Sequence, residues 1–212
     1  MLGIENGYAI GRDKTLVKRF RDRGVVYMTL CHNGDNDICD SARGSGEHGG
    51  LSAFGREVVQ EMNRVGMMID LSHAAEKTFY DVLECSTQPV VCSHSSCRAL
   101  CNHPRNLTDG QLRALAAKGG VAQVTMYSGF LCKEGYATLD HFMQHLEHAI
   151  KVAGIEHVGV GTDFDGDGAV SGCSSASQLR NVTRELLRRG YNDADIEKIW
   201  GGNWLRVMQQ VQ

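Results

Sequence analysis

The chain has 212 residues, 42% hydrophobic and 22% charged, with a formal net charge of -3. It is long enough for one sizeable core and is expected to form a single domain over 1–212. Without a basic block it lacks the electrostatic footprint of a nucleic-acid binder, and no apolar run reaches the length of a bilayer span.

The start, Met1-Leu2-Gly3-Ile4-Glu5, carries no charged stretch followed by an apolar one, so it does not read as a secretory signal. The pattern predicts the tail of a strand over 2–4 and a strand over 25–30. Residues 33–50, rich in Gly, Asp, Asn and Ser, read as a loop. A helix over 53–65 follows from Phe54, Val58, Val59 and Met62 at helical spacing. Next come a strand over 67–71, a helix near 75–83 and a short strand over 90–92. Thr108 is the expected N-cap of a helix over 112–117. A strand over 121–126, a helix over 139–153 and a strand over 157–161 continue the alternation, and helices near 177–189 and 193–209 close it.

Strand and helix alternating in this way predict an α/β fold with a parallel sheet, either open or closed as a (β/α)8 TIM-type barrel. The strands are short and continuously apolar, as strands covered on both faces are. Five to six strand–helix units are visible, and a complete barrel takes about 250 residues. The shortfall lies at the amino-terminal side.

The strand ends carry the chemistry. His32 follows the strand over 25–30, His73 the strand over 67–71, His94 the strand over 90–92, Tyr127 the strand over 121–126 and Asp163 the strand over 157–161, while Glu5 sits just past the end of the first. In parallel α/β folds the carboxyl ends of the strands open onto one ligand-binding face. A single His or Asp there is ordinarily structural or a helix cap; the repetition points to a site. Imidazoles with a carboxylate suit zinc or a similar ion, and a free carboxylate such as Asp163 suits proton transfer.

Other patterns carry less. The eight cysteines include no Cys-x-x-Cys pair and read mainly as free thiols. The run from Asp163 to Gly168 begins like a calcium loop, but its twelfth position is Ser174 rather than Glu. His141, His145 and His148 read as the solvated outer face of a helix. There is no Gly-x-Ser-x-Gly elbow.

The segments Gly3-Ile-Glu-Asn-Gly-Tyr-Ala-Ile-Gly11, Tyr27-Met-Thr-Leu-Cys-His-Asn33, Gly50-Leu-Ser-Ala-Phe-Gly-Arg56, Ile69-Asp-Leu-Ser-His73, Ser93-His-Ser-Ser96, Pro104-Arg-Asn106, Gly161-Thr-Asp-Phe-Asp-Gly166 and Gly202-Asn-Trp-Leu-Arg-Val207 run through nearly the whole chain. Together they resemble the membrane (renal) dipeptidase family of binuclear zinc peptidases. The resemblance implies dipeptide substrates and two Zn2+ ions per complete site. It implies Glu5 as the bridging carboxylate, His73 and His94 as ligands of the second zinc, and Asp163 as the proton-transferring carboxylate. It further implies His32 as the stabiliser of the oxyanion and a substrate contact, Arg105 as the holder of the substrate carboxylate and Tyr127 as a pocket residue. Phe130 stands where some members offer a tyrosine hydroxyl.

The family's first zinc is held by a His-x-Asp pair ahead of the Glu5 position, and no His-x-Asp occurs in this chain. The expectation is therefore the carboxy-terminal part of a metallodipeptidase barrel. An inactive partial barrel and a related amide or lactam hydrolase are the competing readings. An open barrel edge would favour association with a second copy as a homodimer.

Overall fold

The computed structural model describes residues 1–212, and the chain divides into two compact units. The first comprises Met1–Cys92, Ala117–Gly120 and Arg206–Gln212; the second comprises Ser93–Ala116 and Val121–Leu205.

In the first unit, β1 (Leu2–Glu5) is followed by α1 (Thr15–Asp22), β2 (Val25–Thr29), α2 (Ala53–Val65), β3 (Met68–Asp70), α3 (Glu76–Cys85) and β4 (Val91–Cys92). Each strand pairs in parallel with the next, and Glu5 stands opposite Thr29, Thr29 opposite Asp70 and Asp70 opposite Val91. Side chains alternate along a strand, so register neighbours share a face. Glu5, Thr29 and Asp70 therefore project from one face near the strand ends.

The helices form where the apolar positions recur. In α2, Val58, Val59 and Met62 are fully buried, and the helix packs against α1, α3 and β3. Ser52 caps its start by accepting the Gly55 amide at 2.9 Å. Gly66, at φ 75°, ends it in the left-handed region and returns its N–H to the Met62 carbonyl. Truncating Met62 to alanine removes a side chain buried among these elements, a change worth about 2–5 kcal/mol. Helix α1 was not expected from the sequence. Only Val17 is buried in it, and the rest is dominated by charge.

The second unit contains α4 (Asp109–Ala117, whose last residue clusters with the first unit), β5 (Val121–Thr125), α5 (Ser128–Leu131), α6 (Leu139–Ala153), β6 (Val158–Gly161), α7 (Arg180–Arg188) and α8 (Asp193–Glu197), with α9 (Asn203–Val211) running on into the first unit. β5 and β6 are parallel, with Thr125 opposite Gly161, and α6 packs on both. Thr108 is the cap expected of it: its Oγ1 accepts the Gln111 amide at 3.1 Å, and Gln111 Oε1 accepts the Thr108 amide at 2.9 Å. The helix expected over 193–209 is broken. Residues Lys198–Gly202 form a wide turn in which Gly201 leaves helical geometry.

The structure is thus α/β with six parallel strands. No helix is long and apolar enough to cross a membrane. All eight cysteines are free thiols, and only Cys85 is not buried. His145 is not on a solvated face: it is 1% exposed, because it lies three residues after Phe142 and four before Ala149, on the same buried stripe of α6.

Candidate metal centre

Three of the residues singled out by strand position come together in the first unit. One ligand atom each from Glu5, His32 and His73 lie within 4.8 Å of one another. His73 Nε2 is 3.2 Å from Glu5 Oε1, and the His32 and His73 rings stand 4.4 Å apart with their planes 41° apart. The His73 side chain is 7% exposed and that of Glu5 47%, so the cluster is rooted in the core and open on the carboxylate side.

The local backbone explains how. Leu30 extends β2 by donating its amide to the Asp70 carbonyl at 3.2 Å. Asp70 is fully buried. Its Oδ2 accepts the Thr29 hydroxyl at 2.6 Å and its Oδ1 accepts the Ser72 amide at 3.0 Å. That fixes the turn from β3 into His73, which adopts φ 71°. A left-handed non-glycine residue costs about 1–3 kcal/mol and persists only where its surroundings hold it. Here the His73 carbonyl accepts the Ala42 amide at 2.7 Å.

Two imidazoles and one carboxylate form the donor set of many transition-metal sites with open positions. The residues present therefore fit a divalent ion. His32 was expected to act on substrate, and one of its ring nitrogens lies within 4.8 Å of the ligand atoms of Glu5 and His73.

The second unit positions the remaining residues. His94 is 8% exposed, and its Nδ1 is 2.8 Å from Ser93 Oγ. Arg105 is 3% exposed; its guanidinium donates to the His94 carbonyl at 3.3 Å and lies 5.3 Å from the Phe130 ring centre. Phe130 in turn contacts Tyr127 at 4.6 Å and His103 at 4.5 Å between ring centres. This aromatic shelf beside a guanidinium suits a small ligand with one carboxylate and an apolar side chain. Asp163 caps a short turn over Phe164–Gly166 with φ 59°. Its carbonyl accepts the Gly166 amide at 3.0 Å and the Gly168 amide at 2.7 Å, which leaves the carboxylate on a fixed stem.

Two supports escaped sequence reasoning. Asn106 is 1% exposed: its Oδ1 accepts the Ser96 amide at 3.2 Å, and its Nδ2 donates to the Cys101 and Phe130 carbonyls, each at 2.8 Å. His145 Nδ1 accepts the Cys97 amide at 3.0 Å while Nε2 lies 3.1 Å from the Leu131 carbonyl. The first contact requires a bare Nδ1, so the proton sits on Nε2. Burial, helped by His141 and His148, pushes the His145 pKa down to about 4 against the hydrogen bond to Leu131. Burial also pushes the Cys97 thiol up to about 12, so it is inert at neutral pH.

Comparison with known proteins agrees with this chemistry. A family described as membrane dipeptidase (peptidase family M19) matches residues 1–212. The chain is 41% identical over 217 residues to dipeptidase verJ of Clonostachys rogersoniana, covering all of this chain and 55% of that one. It superimposes on the probable dipeptidase PvdM of Pseudomonas aeruginosa with a TM-score of 0.95 and 30% identity, over 99% of this chain and 68% of that one. A metallo peptidase from Rhodobacter sphaeroides, solved with a phosphinate mimic of the dipeptide L-Ala-D-Ala, gives a TM-score of 0.93 at 28% identity, over 100% of this chain and 63% of that one. The chain spans about half the length of the curated relatives it matches.

Proposed function

This chain belongs to the membrane dipeptidase family, peptidase family M19, and from that premise we propose that it serves the hydrolysis of dipeptides at a zinc site. The observation that carries the reading is the convergence of Glu5, His32 and His73 within 4.8 Å. Glu5 and His73 are assigned as metal ligands, and His94 joins them by its place in the family motif. Zinc in such a site supplies Lewis acidity, which polarises a carbonyl and lowers the pKa of water.

The chain's own residues do the rest. The Arg105 fork holds the substrate carboxylate, against the aromatic shelf of Phe130 and Tyr127. His32 donates a hydrogen bond to the oxygen that gains charge as the amide carbonyl becomes tetrahedral. Asp163 takes a proton from the attacking water and returns it to the departing amine. A second ion would need ligands beyond Glu5, His73 and His94.

The test is the zinc-loaded chain offered a dipeptide panel that includes L-Ala-D-Ala, with metal content measured in parallel. Cleavage is expected to fall by about 100-fold or more in Asp163→Asn, the scale of a lost acid–base group, and to vanish in His73→Ala. Arg105→Lys, which cannot make the two-pronged contact, is expected to raise KM more than it lowers kcat. Failure to cleave any dipeptide, or a His73→Ala variant as active as its parent, would overturn the proposal. Two bound zinc ions per chain favour a complete binuclear site, and one favours a single-ion site.

A further inference from the structure

Between β2 and α2 the chain makes a long loop that folds back onto the metal-side residues. Asp35 gathers one stretch of it. Its carboxylate accepts the Ser41 and Ser45 amides, each at 2.7 Å, the Ser45 hydroxyl at 3.0 Å and the Gly46 amide at 2.9 Å. Asp40 holds the next stretch, accepting the His48 amide at 2.8 Å and the Gly50 amide at 2.6 Å. Ser41 directly follows Asp40, has its amide held by Asp35, and is 4% exposed.

The Ser41 hydroxyl meets the backbone of both clustered histidines. Its Oγ donates to the His32 carbonyl at 2.5 Å and lies 3.3 Å from the His73 carbonyl. A hydroxyl has one proton, so the shorter contact takes most of it. The His73 carbonyl is served as well by the neighbouring Ala42 amide at 2.7 Å, and Ser41 pairs with Ala74 in an isolated antiparallel bridge. One residue therefore pins the segments that carry His32 and His73, which come from different strand ends and whose rings are 4.4 Å apart.

We infer that Ser41 is a positioning residue for the metal-side cluster: its hydroxyl ties the backbone of His32 to that of His73 and so sets the two imidazoles at the spacing at which they converge with Glu5. The inference rests on the reading of that cluster as a metal site. It assigns the loop over 33–50 a task beyond connection, because without the hydroxyl the His32 carbonyl loses a short hydrogen bond and its ring loses its fixed stem. Groups that orient metal ligands typically govern affinity by 10–100-fold.

The experiment uses the full chain and four variants. Ser41→Ala removes the hydroxyl. Ser41→Thr keeps it, and Ser41→Val matches threonine in shape without it, so the Thr and Val pair decides even if the alanine variant folds poorly. Ser45→Ala removes a hydroxyl from the same loop that touches neither histidine. In the metal-free chain, the NMR cross-relaxation between the His32 and His73 rings is expected in the parent, Ser41→Thr and Ser45→Ala, and is expected to be lost in Ser41→Ala and Ser41→Val. Titration with Co2+ or Zn2+ is expected to show affinity about 10–100-fold weaker in the latter two only. If the ion binds but the Thr and Val variants behave alike in both measurements, the inference is overturned and the metal reading stands. If no ion binds to the parent while the ring contact still depends on the hydroxyl, the metal reading fails and the positioning role stands.

Discussion

Replacing Asn106 by alanine removes one amide that joins three segments of the second unit. The Ser96 amide and the Phe130 carbonyl each lose the hydrogen bond they make to it, at 3.2 and 2.8 Å. The Cys101 carbonyl is better protected, because it also accepts the His103 amide at 2.8 Å. At about 1–3 kcal/mol for each buried polar group deprived of a partner, the two exposed losses sum to about 3 kcal/mol. For a chain of this length that lowers Tm by about 6–12 °C. Asn106→Asp is nearly isosteric yet is expected to be at least as damaging, since it sets a carboxylate oxygen against the Cys101 and Phe130 carbonyls where a donor belongs. Thermal unfolding followed by fluorescence, with urea midpoints as a check, measures both variants. A drop of under 2 °C in the alanine variant, or an aspartate variant as stable as the parent, would show that this amide does not hold the segments together.

His145 gives a pH signature. Its folded pKa of about 4 lies below the ordinary 6.5, so the unfolded chain binds the extra proton first. The stability this residue contributes is complete above pH 6.5 and is lost as pH falls toward 4, by about 3 kcal/mol in all. His145→Gln is expected to flatten the Tm–pH curve across that window, and an unchanged slope would contradict the assignment. Asp35 shifts in the same direction for a different reason: burial alone would raise its carboxyl, but the Ser41, Ser45 and Glu47 amides and the Ser45 hydroxyl outweigh it and hold the pKa below the ordinary carboxylate range. Its contribution is present above that range and lost as pH falls through the lowered value. Asp35→Asn is expected to speed hydrogen exchange at Ser41, Ser45 and Gly46 by about tenfold or more at neutral pH, the effect of losing a single charge-assisted hydrogen bond; exchange matching the parent would refute it.

Most of the site was legible because strand ends are legible. A short apolar run followed at once by His or Asp marks both the element and the place where it opens, and that pattern singled out Glu5, His32 and His73, which the fold brings within 4.8 Å of one another; the same pattern is what proposes His94 and Asp163. The buried stripe of α6 was also present in the sequence. His145 stands at i+3 from Phe142 and i-4 from Ala149, and its spacing to His141 and His148 masked that. α1 was missed because it is short and charge-rich: Lys18, Arg19, Arg21 and Asp22 make up half of its 8 residues, which leaves Leu16, Val17 and Phe20 as its only large apolar positions. The expected helix over 193–209 passed over the Gly201-Gly202 pair, the one local signal of the break before α9, and the role of Asp70 was passed over too, although an acidic residue inside the apolar run Met67-Met68-Ile69-Asp70-Leu71 is the signature of a buried carboxylate. Ser41 carried no mark. Its role depends on which carbonyls a loop folds back onto, and composition does not encode that.

Backbone strain is the part of the site that no residue pattern announces, and it is concentrated there. Four non-glycine residues have positive φ: Asn6, His73, Asp163 and Asp167. Asn6 directly follows Glu5, His73 belongs to the clustered donor set, and Asp163 is the proposed proton carrier. Asn6, His73 and Asp163 are held by hydrogen bonds, Asn6 through its side-chain oxygen, which accepts from the Tyr8 amide and the Asn36 side-chain amide, each at 3.1 Å. If His73 occupies the left-handed region under strain, the two ways of deleting its imidazole must differ. His73→Ala retains a Cβ that the conformation disfavours, whereas His73→Gly does not. Against the greater freedom of glycine in the unfolded chain, the balance still favours glycine by about 1 kcal/mol, or roughly 2–4 °C in Tm. Both variants lose the same ring and the same contact with Glu5, so their difference reports backbone alone. An alanine variant as stable as the glycine one would mean that the turn relaxes once the imidazole is gone, and that the ring, rather than the hydrogen bonds from Ala42 and to Asp70, imposes the conformation.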